Sequence, residues 1–393
     1  MSLLRRVTPL AHRLDHAIGR VLPRREVLVE LRTPVSYAVL SPIADALAQQ
    51  PAVNMWFTSE DPDRVRHLVP EDRLLTHGDA EWRRFDLYIN GDPWAAARLR
   101  RCARRVNFFH GVAGKYDLDN PKGLPLGLEC YDRIAFINRD RMQRYLAAGV
   151  VTPEQAVLVG YPKLDKLARG DVDTRGLRAA YRLDGRPTAL YAPTYSEVSS
   201  LHLAGPEIVR ALDAAGFNVL VKLHDRSLDP DPRYHGGIDW RARFGELAAT
   251  SPSGRIHFVE TPDACPLLAV ADVLVTDHSS VGFEFLVLDR PLIVFDTPDL
   301  VSAARVNMEK VTLLRSAATV VCSPDDAARA ARAAIANPGA NSAARCRVAR
   351  DVFFQPGEAT ARAVQLARQL LYPAGALTGV GDDRRPFGRG EPV

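Results

Sequence analysis

Short apolar runs recur through the first part of the chain: Val27–Leu31, Val53–Phe57, Asp86–Asn90, Val106–Phe109, Arg133–Ile137 and Val157–Val159. They are nearly continuous in Val, Leu, Ile and Phe rather than alternating, the pattern of parallel strands buried on both faces. Between them lie stretches such as Ala38–Gln49 and Asp140–Ala148, rich in Ala, Leu, Arg and Gln, with apolar residues at helical spacing. Strand and helix in alternation predict a doubly wound α/β layer structure. A polar stretch over residues 169–176 interrupts the series. It then restarts with Ala189–Ala192, Val219–Leu223, Ile256–Val259, Val273–Thr276, Leu292–Phe295 and Thr319–Cys322. The reading is an N-terminal domain over residues 26–172, a C-terminal domain over 173–352 and a helix over 353–372. Two such domains in tandem set the carboxyl ends of two sheets across a cleft, where folds of this kind bind ligands.

The two ends differ from this pattern. Over residues 1–25, Leu3, Leu4, Val7, Leu10, Leu14, Ile18 and Val21 recur at helical spacing with arginines filling the gaps. That is either a basic amphipathic helix on an anionic membrane surface or an ordinary first helix docking on its own domain. Residues 373–393 are dense in Gly, Pro, Asp and Arg, and read as a disordered tail. The 393 residues are too many for one ordinary core, which agrees with two domains. A net charge of +4 is too small for nucleic-acid binding by bulk electrostatics. The five scattered cysteines include no C-x-x-C pair and read as reduced thiols of a cytoplasmic protein. No apolar stretch reaches the length of a membrane span, so any membrane contact is expected to be peripheral.

Candidate chemistry follows the strands. The run Val273–Thr276 breaks into Asp277-His278-Ser279-Ser280 and then a helix carrying Glu284, a turn that offers hydroxyls and free N–H groups to a phosphate. A plain serine N-cap reads the same turn without a ligand. Another strand ends in His110-Gly111 with Lys115 close behind. Two more end in Lys222-Leu223-His224 and in Tyr191-Ala192-Pro193-Thr194-Tyr195. Two histidines at strand ends, each near a lysine, suit acid/base and anion-clamping roles. Four Asp-x-Asp triplets, among them Asp117/Asp119 and Asp229/Asp231, read as turns rather than metal ligands, so no metal or other cofactor is expected.

These residues carry a resemblance. Thr276–Phe295 resembles the signature of the CDP-glycerol glycerophosphotransferases, the teichoic acid primases and polymerases. Tyr191–Tyr195 is similar to that family's Ala-Pro-Thr segment, Lys222-Leu223-His224 to its Lys-x-His, His110-Gly111 with Lys115 to its His-Gly plus lysine, and Gly357–Thr360 to its closing Gly-x-Ala-Ser/Thr. The resemblance implies a GT-B fold, two Rossmann-like domains facing a cleft, with CDP-glycerol or a related CDP-alditol on the second domain. It implies an acceptor, lipid-linked or a glycan polymer, on the first, near Gly111 and Lys115. By the same analogy His110 deprotonates the acceptor hydroxyl, while His224 and Lys222 stabilise charge on the diphosphate. Thr194, Ser279 and Ser280 would hold the donor phosphates and Glu284 the ribose, with Asp277 a further donor-binding residue. The chain departs from the family pattern at Val112, Ser196, Asp225 and His278, and Arg226 is the candidate replacement for a missing cation.

Competing readings use the same cleft. One is sugar transfer from a nucleotide sugar, and another a nucleotide-sugar 2-epimerase, which needs paired carboxylates beside the sugar. A relative that binds without turnover is a further alternative.

Overall fold

The computed structural model describes residues 22–92, 99, 101–122 and 127–373. Most of the amphipathic segment 1–25 and of the tail 373–393 therefore lies outside the described residues.

Each apolar run named above becomes a strand. The first sheet comprises β1 (Arg25–Glu30), β2 (Val53–Ser59), β3 (Leu74–Thr76), β4 (Phe85–Asn90), β5 (Cys102–Phe108), β6 (Arg133–Phe136) and β7 (Ala156–Leu158). The second comprises β8 (Thr188–Tyr191), β9 (Asn218–Val221), β10 (Ile256–Phe258), β11 (Val273–Thr276), β12 (Leu292–Phe295) and β13 (Thr319–Val321). The pairings are parallel throughout. Their orders are β3-β2-β1-β4-β5-β6-β7 and β10-β9-β8-β11-β12-β13, so the two sheets repeat one doubly wound topology. Every residue of β4, β8, β9, β11 and β12 is buried, because helices cover both faces. Only β3 escaped the sequence pattern, since an edge strand with no fully buried residue leaves no apolar run to read.

The helix Pro34–Ala48 begins where Thr33 caps it and proline occupies its first turn. The last helix, Ala359–Leu371, packs back against it, although the intervening chain has built the second sheet. A buried carboxylate makes the return possible: Asp165 accepts the N–H groups of Gly357, Ala359 and Thr360, closing the start of that helix. The segment Gly357–Thr360 thus works as a helix anchor, and Gly357 takes the left-handed conformation, φ +99°, that the wrap requires. Among the described residues, no helix is long and apolar enough to cross a membrane.

Candidate active site

The strand order reverses between β1 and β4 in one sheet and between β8 and β11 in the other. Chain leaving the carboxyl ends of these four strands, together with the loops after β5 and β9, lines one cavity of about 340 Å3. It brings together His110, Gly111 and Lys115 from the first lobe with Thr194, Lys222, His224, Arg226, Ser279, Ser280 and Glu284 from the second. A wider groove of about 1770 Å3 runs beyond Lys163, between the helices Pro34–Ala48 and Ala359–Leu371, and holds none of these ten.

His110 sits just past β5, half-exposed to the cavity. Its Nδ1 lies 2.9 Å from the carbonyl oxygen of Gly91, which can only accept, so Nδ1 carries a proton and the lone pair of the neutral ring is on Nε2. The approach depends on glycine: a Cβ at residue 91 would lie 3.3 Å from that Nδ1. Asp92 Oδ1 stands 3.8 Å from Nε2.

Cations gather on the opposite wall. Burial lowers the Lys222 ammonium to about 8, with Lys163 adding to the effect, and burial lowers Lys115 to about 8 against the pull of Asp277. Lys115 donates to Thr194 Oγ1 at 2.8 Å, so it bridges the lobes rather than serving the acceptor side alone. Lys163 donates to Glu284 at 2.7 Å in a buried pair. Burial alone would lower that lysine, but Glu284 outweighs it and keeps the ammonium charged. Arg226 lies 4.3 Å from the Tyr234 ring centroid. Burial lowers the His224 imidazole against the pull of Asp225. Asp225 is itself held at about 2, because His224 and Lys222 overcome the burial that would raise it.

Ser279 occupies the N-cap position of the helix Ser280–Phe285, yet its side chain makes no capping bond. Its hydroxyl is left to the cavity, so the plain N-cap reading does not describe this serine. Asp277 corrects an expectation. It is fully buried, does not line the cavity, and accepts from Thr194 N at 2.9 Å, Ser200 N at 3.1 Å and Ser200 Oγ at 2.9 Å. The carboxylate shapes the Thr194 loop and does not face the cavity.

The loop after His110 is fixed against the second lobe. His278, lowered to about 4 by burial, is neutral and donates Nε2–H to the Ala113 carbonyl at 3.0 Å. The Val112 N–H reaches Ser280 Oγ at 3.3 Å, and Asn307 N donates to the Gly114 carbonyl at 2.9 Å. Two of the family departures, Val112 and His278, are therefore contacts between lobes. Of the Asp-x-Asp residues, Asp119 pairs with Arg141 and Asp229 with Arg64. Arg141, Lys163 and Asp92 were missed in the sequence. Lys163 and Asp92 share the position of the residues that were found, a polar side chain soon after a strand, whereas a helical arginine such as Arg141 gives no local signal.

Residues 137–355, more than half of the 393, match the family CDP-glycerol:poly(glycerophosphate) glycerophosphotransferase. The chain belongs to that family. No curated protein matches this glycerophosphotransferase. Among solved structures it is similar to the wall teichoic acid polymerase TagF, at 15% identity and a TM-score of 0.66, over 94% of this chain and 98% of the polymerase chain. It is also similar to MnaA of S. aureus with UDP, at 12% identity and a TM-score of 0.58, over 93% and 100% of the two chains. For the UDP-GlcNAc 2-epimerase of Neisseria meningitidis the values are 11%, 0.55, 88% and 100%. At these identities the likeness shows the fold, which is GT-B in both lobes.

The two depressed lysines carry a pH prediction. Both are cations below about 8 and neutral above it, and a diphosphate bound beside them would be held less tightly as pH rises. Affinity for CDP-glycerol is expected to fall by up to about tenfold per pH unit per linked proton above that point. Calorimetric titration from about pH 7 to about pH 9.5 checks this, and a flat affinity would remove both lysines from the donor site.

Proposed function

We propose that this glycerophosphotransferase moves glycerol phosphate from CDP-glycerol, or a closely related CDP-alditol, to a hydroxyl of a lipid-linked or polymeric glycan, releasing CMP. The observation that carries the reading is the single cavity that His110 shares with cations and hydroxyls contributed by the other lobe. In this reading Ser279, Ser280 and Thr194 take the donor phosphates. Glu284, held by Lys163, takes the ribose, and Gly111 lies beside the acceptor. The acceptor hydroxyl gives its proton to Nε2 while its oxygen bonds to the phosphorus that bears glycerol. The anhydride bond to CMP breaks, and the electron pair leaves on the CMP phosphate. Lys222, His224 and Arg226 offset the charge that develops there.

The buried Lys163–Glu284 pair favours this over an epimerase. With Asp277 turned away, the carboxylates on the cavity wall are Asp92 and Glu284, one from each lobe, and the second is already ion-paired. The test offers CDP-glycerol, CDP-ribitol and UDP-sugars in turn, with a synthetic oligo(glycerol phosphate) as acceptor. Acceptor-dependent CMP release from CDP-glycerol is expected. UDP release would replace the proposal with sugar transfer, and sugar interconversion without acceptor would replace it with epimerisation.

A further inference from the structure

Asp92 has no part in the transfer as described so far, yet it is the carboxylate that meets the base. β4 and β5 are neighbours in the first sheet, and their carboxyl ends deliver Gly91-Asp92 and His110 side by side. The Gly91 carbonyl accepts a hydrogen bond from Nδ1–H, which fixes the ring and leaves Nε2 as its other nitrogen. The next residue then places its carboxylate 3.8 Å from that nitrogen, with the Asp92 side chain 13% exposed. Asn90 steadies the turn, since its Nδ2 donates to the Asp92 carbonyl at 2.7 Å and to Tyr131 Oη at 2.8 Å. At 3.8 Å with a bare lone pair on Nε2, no hydrogen bond joins the two groups. A carboxylate facing a lone pair is repelled in the resting protein and attracted once that nitrogen holds a proton.

We infer that Asp92 is a positioning residue for the base, stabilising the His110 imidazolium formed as the acceptor proton is taken. The inference rests on the transfer reading and deepens it. No new bond is made: the proton moves from the acceptor hydroxyl to Nε2, the acceptor oxygen closes on phosphorus, and Asp92 stays ionised. Its effect belongs to the transition state, because the charge it answers is absent before the proton moves. The other charged side chains lining the cavity are Arg32 at the end of β1, Lys115 on the loop that carries His110, and Lys163, Lys222 and Arg226, with the imidazole of His224, lowered by burial, beside them. These cations oppose an imidazolium, and Glu284, the other carboxylate on the wall, is held by Lys163. Among the described residues, Asp92 is therefore the cavity carboxylate beside Nε2.

The experiment compares wild type, Asp92→Asn and Asp92→Glu, with CDP-glycerol as donor and synthetic oligo(glycerol phosphate) as acceptor. Asn keeps the shape and removes the charge. It is expected to lower kcat by about tenfold to a hundredfold with the donor KM unchanged. It should also move the acidic limb of the kcat profile to lower pH, since an imidazolium without its counter-charge gives up its proton more readily. Glu should restore part of the rate. Wild-type kcat in the Asn variant, or a loss of rate with the limb unmoved, overturns the inference. An NMR titration of His110 in the free proteins needs no turnover. A lower titration midpoint in Asp92→Asn supports the inference and an unchanged one overturns it, whether or not the transfer reading survives. If the Asn variant does not fold, the same titration in Asp92→Ser decides: a lowered midpoint in a folded protein supports the role, and an unchanged one overturns it.

Discussion

His110→Ala is expected to lower kcat for glycerol phosphate transfer by about a hundredfold to ten-thousandfold, the range a positioned general base contributes. Donor affinity should survive within about twofold, because the substitution removes nothing from the lobe that carries Lys222, Arg226 and Ser279. Steady-state kinetics give the first quantity and calorimetry with CDP-glycerol the second. The asymmetry follows from the chain: His110 follows β5 in the first sheet, while the proposed diphosphate contacts follow β8, β9 and β11 in the second. Normal turnover in the variant would take His110 out of the mechanism, whereas lost donor affinity would place it on the donor instead.

Arg141→Ala should produce the largest loss of stability, about 3–5 kcal/mol in denaturant unfolding. The guanidinium is 1% exposed. Its Nε lies 2.9 Å from Asp119 Oδ1, and Nη1 donates to the Gly111 carbonyl at 2.8 Å. Without it a buried carboxylate and a backbone carbonyl beside the base are both left unpaired. Burial would raise the Asp119 carboxyl, but Arg141 and then Lys310 outweigh it and hold it below the ordinary carboxylate range. A depressed carboxyl stabilises the fold at neutral pH and loses that contribution as pH falls through its folded value, so the variant should also lose this acid-dependent component. Replacing both partners, Asp119→Leu with Arg141→Met, is expected to recover much of the loss, because no charge is then stranded. An Arg141→Ala protein that unfolds at the wild-type denaturant concentration would contradict this reading of the pair.

How far the site could be read from the chain depended on what each residue does. That His110, Lys222, His224, Ser279 and Thr194 reach one cavity is legible because a doubly wound sheet opens its crevice just after its strands, and strand ends show as apolar runs that stop. Asp277 was misread for the same reason. It follows β11 as the serines do, but its side chain turns inward to three donors on the Thr194 and Ser200 segment, and the direction of a side chain leaves no mark in a linear pattern. Lys163 and Glu284 show the same gap. Glu284 was named from its helix, while the cation that holds it comes from 121 positions earlier and from the other lobe. His278 stood out as a departure from the family pattern, and only the neighbouring Ala113 carbonyl gives it a task.

By itself the amino-acid sequence determined the two layered sheets, the order of their strands along the chain and the polar residues that end them. These are consequences of local periodicity and of the short distances over which turns and caps act. Tertiary structure decided which of those ends meet, that Ala359–Leu371 returns to the first lobe on Asp165, and that Gly91 and Asp92 flank His110. The physical reason is separation. Hydrogen bonds and ion pairs between residues such as Asp165 and Thr360, or Val112 and Ser280, depend on distances in space that a chain acquires only when its sheets pack.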